Sequence, residues 1–430
     1  MTEPNGPRLL AGTAGGHRLD FAEHVATHGS LPLPADRRES GPWAKDLVAQ
    51  IGLSGLIGRG GGGFPTAIKL GGAVEGRHRT TVVIDVMEGE PAAQKDSVLA
   101  AFSPHLILDG AEVLAAALSA KEVKIAVAAD NPAAKGSLEA ALAERGQPRG
   151  RGLDMSIGTP PGRYVAGEES ALVHWLDGGD SRPTYRPSKP AVLTIGRRRA
   201  YVENAETTAA LALIARHGGA AYAAQGWERT GGTALVTISG AVDSPGVHEV
   251  AVGTPLGQII ALSQPTGTPT GILLGGYGGT FVGPEALTSP WSPEGLRPVG
   301  GAPGAGVIIV FNESSCGVTE ISRIADWMAR ESAGQCGPCV FGLPALAEDL
   351  ALVALGRNKG RIDVRLHAHL DIIAGRGACA HPDGVVRMVR TGLSVFRKDV
   401  AAHLEGRRCS CAGAPSVLTL PDNAGELAWR

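Results

Sequence analysis

The sequence predicts a multidomain α/β protein, and three observations carry that expectation. Its 430 residues exceed what a single hydrophobic core organises. Between residues 45 and 225, β-branched apolar segments alternate with amphipathic ones, the pattern of a mostly parallel sheet layered with helices. From residue 312 onward the apolar spacing is almost continuously helical.

In chain order, residues 1–44 are rich in Pro and Gly and read as an extended N-terminal arm with one short helix over 21–28. Residues 45–227 form the α/β domain. Helices are expected over 43–52, 106–118 and 131–145, and buried strands over 81–86 and 123–127, where Val and Ile dominate. Residues 228–311 change character. A strand over 234–238 precedes the turn Ser244-Pro245-Gly246, and one short helix over 255–262 interrupts a small mixed β domain. Residues 312–405 give four helices (318–332, 343–354, 361–374 and 384–404), consistent with a bundle. Residues 406–430 form an irregular tail.

Composition narrows the function. A net charge of −2 and an aromatic content of 4% argue against a nucleic-acid binder. No apolar run reaches the roughly 18–20 residues of a membrane helix, and the N-terminus lacks the charged cap and apolar stretch of a signal peptide. The expectation is a cytoplasmic protein without direct membrane insertion. The cysteines are Cys316, Cys336, Cys339, Cys379, Cys409 and Cys411, all in the last third of the chain. Such clustering suggests a metal or redox centre more than a disulfide framework.

The most unusual segment is residues 55–69. Gly55, Gly58, Gly60, Gly61, Gly62 and Gly63 let backbone N–H groups approach an anion closely. A helix opening after Pro65 would aim its positive end at the same place, and Lys69 adds a full charge. The implied ligand is a phosphorylated cofactor. Gly58, Gly60 and Gly63 match the dinucleotide spacing and Asp85 follows at the expected distance. The segment before the loop reads as a helix rather than the strand that motif requires. Lys69 also lacks the spacing and Ser/Thr neighbour of a Walker loop.

At these residues the sequence resembles the flavin-containing, NADH-oxidising subunits of respiratory complex I and the diaphorase subunits of hydrogenases and formate dehydrogenases. The resemblance runs over residues 45–405. It rests on the loop 55–69, the strand-loop 84–96, the segment 162–172 and the segment 203–207. It implies a Rossmann-like FMN/NADH domain, a β-grasp-like domain over 228–311 and a C-terminal four-helix iron–sulfur bundle. By the same resemblance, Gly58, Arg59, Gly60, Gly61, Gly63 and Lys69 would hold the FMN phosphate and ribityl chain. Tyr164, Gly167, Glu168 and Glu169 would line the flavin and nicotinamide site. Asp85, Val202, Asn204 and Thr207 would complete the flavin side, and Phe64 and Glu90 would contact the nucleotide. Glu88 and Glu168 are the candidate catalytic carboxylates. Asp85, Met87 and Glu203 depart from the family pattern, so the flavin environment is altered.

Cys336, Cys339 and Cys379 match three of the four cluster ligands of that family, and Ala333 stands at the position of the fourth. The open outcomes are a [4Fe–4S] cluster with a non-Cys fourth ligand, a [3Fe–4S] cluster, recruitment of Cys409, Cys411 or His381, and an empty site. Cys316 reads as a buried thiol, and Cys409 and Cys411 as a feature of the tail. The basic stretch Arg186, Lys189, Arg197, Arg198 and Arg199 is expected beside the nucleotide site. There it would recognise the extra phosphate of NADPH, dock an acidic ferredoxin, or form a solvated face. The functional expectation is an NAD(P)H:ferredoxin-type oxidoreductase that takes hydride on FMN and passes single electrons to ferredoxin or another one-electron carrier. The alternatives are a subunit of a larger complex and a degenerate scaffold without redox activity.

Overall fold

The computed structural model describes residues 8–35, 37–76, 78–146, 152–185, 192–357, 361–407, 409–411, 413–422, 424–426 and 428–430. Two five-stranded sheets organise the chain. The first has the order β3-β2-β1-β5-β4, with β1 (Thr80–Val86), β2 (Glu122–Val127), β3 (Asp154–Gly158), β4 (Thr194–Ile195) and β5 (Arg198–Asn204). All its pairings are parallel except β4 with β5. Val82, Val83 and Ile84 of β1 are fully buried, as expected of a central strand covered on both faces. Each such side chain contributes roughly 2 kcal/mol.

Around this sheet lie α1 (Phe21–His28), α2 (Arg37–Ser54), α3 (Thr66–Glu75), α4 (Lys95–Phe102), α5 (Pro104–Ala117), α6 (Pro132–Arg145), α7 (Glu169–Leu176), α8 (Ala205–His217) and α9 (Gly219–Ala223). The expected helix over 43–52 is real but begins at Arg37, inside the segment read as an arm. The arm is also packed. Leu9 is fully buried, and the backbone N–H groups of Leu9 and Leu10 donate to the Glu249 carboxylate of the second sheet. No single helix among the described residues is long and apolar enough to cross a membrane. The bent pair α4–α5 passes that test only when its two helices are joined across a 97° bend. Most of α5 is buried in the core.

The second sheet has the order β7-β6-β10-β8-β9, with β6 (Thr233–Gly240), β7 (Gly246–Ala251), β8 (Pro269–Leu274), β9 (Thr280–Val282) and β10 (Val307–Asn312). β10 lies centrally, parallel to β6 and antiparallel to β8. Helices α10 (Leu256–Ala261) and α11 (Pro293–Leu296) belong to the same unit. Beyond it come α12 (Gly317–Arg330), α13 (Leu343–Ala354), α14 (Ile362–Ile373), α15 (His381–Val395) and α16 (Arg397–Leu404). The last helix expected from the sequence is therefore two. It breaks at Phe396, whose ring packs at 5.5 Å from Phe281 and 5.9 Å from Phe311. A Cβ on Gly317 would lie 2.3 Å from that ring, so the glycine makes room for it.

Candidate functional site

The glycine loop lies at the C-terminal ends of β1 and β5. The chain runs β1, β2, β3 to one side of β1 and returns with β5 on the other. Such a reversal opens a crevice at the carboxyl ends of the strands, where ligands bind in open α/β sheets. The loop closes on itself through the Gly58 N–H to the Phe64 carbonyl and the Thr66 N–H to the Leu56 carbonyl. Gly61 and Gly63 adopt φ of +104° and +59°, the left-handed region glycine enters without cost. A Cβ on Gly60 would stand 3.2 Å from the Asn204 Cβ, so the loop backbone lies directly on the end of β5. A Cβ on Gly62 would meet nothing within 4 Å, so that side of the loop is open, and a ligand seated there would have the loop as its cradle. Helix α3 begins at Thr66 as expected. The buried Thr66 hydroxyl has no partner among the described residues, as suits a group aimed at a ligand.

Several candidate residues serve as the frame of this cradle. The Arg59 N–H donates to the Thr207 hydroxyl at 2.8 Å, and its guanidinium donates to the Thr233 carbonyl at 3.1 Å, fastening the loop to α8 and to the second sheet. The Lys69 ammonium donates to the Val202 carbonyl at 2.5 Å, with Glu203 at 3.6 Å and the Tyr201 ring at 5.3 Å. It thus braces β5. Asn204 caps α8 by accepting from the Glu206 N–H and donates to Asp96 at 2.8 Å. Behind it the buried Lys95 pairs with Asp96 at 2.9 Å and Glu206 at 3.0 Å. Burial opposes its charge, but Asp96 and Glu206 outweigh that and hold the ammonium protonated. This buried charge network was not singled out from the sequence. Its one signal is the adjacent Lys95-Asp96 pair in the strand-loop.

The β1 end supplies three carboxylates. Burial pushes Asp85 up to about 7, although it accepts from the Met87 N–H. Burial, aided by Asp96, pushes Glu88 up to about 7. Glu88 accepts from the Asp96 and Ser97 N–H groups and so caps α4. Burial likewise pushes Glu90 up to about 7, and it accepts from the Tyr277 N–H at 2.8 Å. Glu168 accepts from the Ser170 and Ala171 N–H groups and caps α7, which opens at Glu169. Both candidate catalytic carboxylates therefore act here as helix caps. A Cβ on Gly167 would lie 3.2 Å from the Met87 Cβ, which brings the 162–169 segment against the β1 end. The Tyr164 ring lies 5.4 Å from that of His381 and 5.6 Å from that of Trp327. Phe64 is 54% exposed at the mouth of the cradle.

Three of the cysteines meet beyond Tyr164. Cys336 and Cys379 lie close enough to the Cys339 thiol to disfavour its ionisation, and Ser332 opposes them. Burial, then Cys336, pushes the Cys339 thiol up to about 12. It stays protonated at neutral pH unless a metal takes the proton's place. Ala333 is buried beside them. Thiols are the residue type that holds iron–sulfur clusters, so these three are the candidate ligands here.

Residues 51–213 match the Nuo51 FMN-binding domain, and residues 319–403 match the NADH-ubiquinone oxidoreductase-F iron-sulfur binding region. The F-type subunit of NADH-quinone oxidoreductase from Streptomyces coelicolor is 30% identical over 387 residues, covering 86% of each chain. The chain belongs to this NADH-quinone oxidoreductase-F family. A second F-type relative, from Rhizobium meliloti, is 29% identical over 415 residues, 92% of this chain and 96% of its own. Among solved structures, an NAD+-reducing nickel–iron hydrogenase in the air-oxidised state shares 29% identity with a TM-score of 0.75, covering 87% of this chain and 66% of that one.

Within this oxidoreductase-F fold two sequence expectations are corrected. Arg198 and Arg199 open β5 with Arg197 just before them, about 17–23 Å from Asn204 at roughly 3.3 Å per residue. They lie at the far end of the sheet, and Arg198 pairs with Glu122 at 2.9 Å. Closeness in sequence to the site residues did not account for strand direction. Arg186 and Lys189 lie outside the described residues. Cys409 and Cys411 join Cys316 at the N-terminus of α12, whereas Ala333 follows its C-terminus. Fourteen residues of helix separate the two places, about 20 Å. Neither tail cysteine reaches the cluster position. Nor are they a loose tail feature, because the structure gathers them with Cys316.

Proposed function

We propose that the protein is an NADH-oxidising, FMN- and iron–sulfur-bearing subunit of a larger redox assembly. The observation that carries this reading is the glycine loop seated on the ends of β1 and β5, with Gly60 against Asn204 and the open face of Gly62 beside the α3 N-terminus. That cradle fits a phosphorylated flavin, and the relatives are named as subunits of multisubunit enzymes. Those names favour an assembled subunit over a stand-alone ferredoxin reductase. The sequence relatives are named for NADH, so NADH is the assigned donor.

In this reading residues 45–227 form the Rossmann-like FMN/NADH domain, 228–311 the β-grasp-like domain and 312–405 the helical iron–sulfur bundle. FMN, when bound, accepts a hydride and releases electrons singly. The chain's own residues prepare that site. The amides of 58–63 and the α3 N-terminus face the phosphate side. Glu88 and Glu168 cap α4 and α7 and so fix the walls of the cradle. Exposed Phe64 closes its mouth against water. Cys336, Cys339 and Cys379 hold either a [3Fe–4S] cluster or a [4Fe–4S] cluster with a non-Cys ligand. Ser332, which acts on the Cys339 thiol, and His381, whose Nδ1 has no partner among the described residues, are candidate donors. Val340 and Phe341, 46% and 76% exposed beside Cys339, mark the face for a neighbouring subunit.

The test is flavin, iron and sulfide analysis of anaerobically purified protein, with EPR before and after NADH. Bound FMN bleached by NADH, and an iron signal that responds to it, are expected. A chain that takes up no FMN on reconstitution refutes the reading.

A further inference from the structure

We propose that Cys316, Cys409, Cys411 and His403 form a structural zinc site that fastens the C-terminal tail to the start of α12. The three sulfurs lie within 4.8 Å of one another. Cys409 Sγ is 3.3 Å from Cys316 Sγ and 3.2 Å from Cys411 Sγ. Tetrahedral zinc with bonds of about 2.3 Å spaces its sulfurs at about 3.8 Å, so a small outward shift of each thiol admits the ion. Thiolates of an iron–sulfur cubane bind separate irons and stand much farther apart, so this spacing selects a single ion.

His403 is the candidate fourth ligand; it stands beside Cys316, outside the group of three mutually close sulfurs, and its imidazole must shift toward Cys409 and Cys411 to complete the site. His403 is fully buried on α16, and its Nε2 is 3.7 Å from Cys316 Sγ. A sulfur–nitrogen pair on one zinc stands about 3.6 Å apart. The Nδ1 side of the ring lies 3.0 Å from the Ala354 carbonyl and 3.2 Å from that of Val353. Carbonyls only accept, so Nδ1 carries the proton and Nε2 presents its lone pair to the thiols, as metal-ligating histidines usually do. That lone pair accepts from the Cys409 N–H at 3.3 Å. Cys316 accepts from the Thr319 N–H at 3.4 Å and the Thr319 hydroxyl at 3.1 Å, donors that also suit a thiolate. Val318, Val353 and Ile362 wall the site with apolar surface.

The balance is simple. Three thiols lose three protons to water as one Zn²⁺ binds three thiolates and one neutral imidazole, with no change of oxidation state. Four ligands leave no open position, so the role is structural rather than catalytic. Cys316, Cys409 and Cys411 lie outside the matched region 319–403, so the family's cluster does not account for them. What the site anchors is visible. Beyond Cys411 the tail runs the length of α12. Val417 N–H donates to Glu320, Gly425 N–H donates to Glu331, and Trp429 stacks on Arg163 at 4.0 Å. The strap thus ends at the segment that carries Tyr164.

The experiment is metal analysis of the full chain purified without chelator, beside the Cys409→Ser/Cys411→Ser variant. One zinc per chain is expected, falling at least tenfold in the variant while iron and flavin per chain stay unchanged. Chelated wild-type protein should take up Co²⁺ with thiolate charge-transfer absorption and release about three protons per ion. Its tail should be cut faster by trypsin before Co²⁺ is restored. If the double variant fails to fold, the cobalt titration of wild type and of Cys411→Ala decides. Absence of both zinc and a cobalt–thiolate band overturns the proposal. So does zinc retained in the variant, loss of iron in place of zinc, or an intact mass showing a Cys409–Cys411 disulfide.

Discussion

Replacing Asp85 by Asn should tilt the pH dependence of stability upward between about pH 4.5 and 6.5. Asp85 is half-buried at the end of β1, and burial raises its carboxyl from 3.8 to about 7. Between those values the folded chain holds a proton that the unfolded chain has released. Stability therefore falls as pH rises through this window, by at most ~1.4 kcal/mol per pH unit for one group. Glu88 and Glu90 act in the same sense, each raised to about 7. Three histidines act in the opposite sense. Burial lowers His28, His105 and His381 from 6.5 to about 4, so in the same window the unfolded chain binds the extra protons and stability rises with pH. These acids and histidines oppose one another in this window, so the effect of Asp85 is read as the difference between variant and wild type. Asn keeps the acceptor for the Met87 N–H but cannot ionise. The variant should gain stability relative to wild type as pH rises, roughly 2–4 kcal/mol by pH 7. Urea unfolding of both flavin-free proteins, followed by tryptophan fluorescence at several pH values and fixed ionic strength, measures the difference. Parallel profiles, or a gain that grows toward low pH, would refute the assignment of a neutral carboxyl beside the cradle. The infrared band of a protonated carboxyl near pH 6, diminished in the variant, gives an independent reading.

Other perturbations separate the parts of the site. Gly62→Ala meets nothing within 4 Å in the protein itself. It should leave the melting temperature of the flavin-free chain unchanged yet weaken FMN at least fivefold, about 1 kcal/mol; equal affinity by flavin-fluorescence titration would place the cofactor elsewhere. Cys336→Ser or Cys339→Ser should abolish bound iron and keep flavin, and iron retained in both would sink the three-cysteine site. Asp109 is buried against His24, Arg145 and Arg216, at 2.7 Å from the first and 2.6 Å from the second. Its removal in Asp109→Ala strands three potential cations and should cost about 3–5 kcal/mol in denaturant unfolding, and a cost under ~1 kcal/mol would show the network is not buried as described.

The sequence was most legible where the signal was local. The strand over 81–86, the helix start after Pro65 and the glycine loop all rest on residues within one short window, and the structure realises each of them. It was least legible where meaning depends on which end of an element a residue occupies. Arg197, Arg198 and Arg199 neighbour the site residues in sequence, but β5 carries them to its opposite end. The break at Phe396 could not be read from periodicity, because it arises from a ring seated among Phe281, Phe311 and Gly317, distant in the chain. Cys316 and Cys409 are 93 positions apart, and spacing rules do not reach contacts of that span. Glu88 and Glu168 show a subtler limit. A carboxylate near a cofactor loop suggests chemistry by residue type, whereas its N–H partners reveal helix capping.

The structure also explains why the flavin cradle and the cysteine pocket belong to one device despite lying in different units of the chain. Glu331, buried just before Ser332, accepts from the Arg163 guanidinium at 2.9 Å and from the Tyr164 N–H at 3.1 Å. Its other oxygen accepts from the Gly425 N–H of the tail at 2.7 Å. One carboxylate therefore ties the 162–169 segment, the turn that bears the cysteines and the C-terminal strap together. Buried charge pairs of this kind add little net stability, but they penalise any arrangement that separates them. The Tyr164 ring lies against His381, whose backbone N–H donates to Cys379. A shift of the cysteine turn would thus move Tyr164 and the 162–169 segment. Glu331 and Tyr164 therefore fix the 162–169 segment against the turn that bears Cys336 and Cys339, whatever stands at position 333.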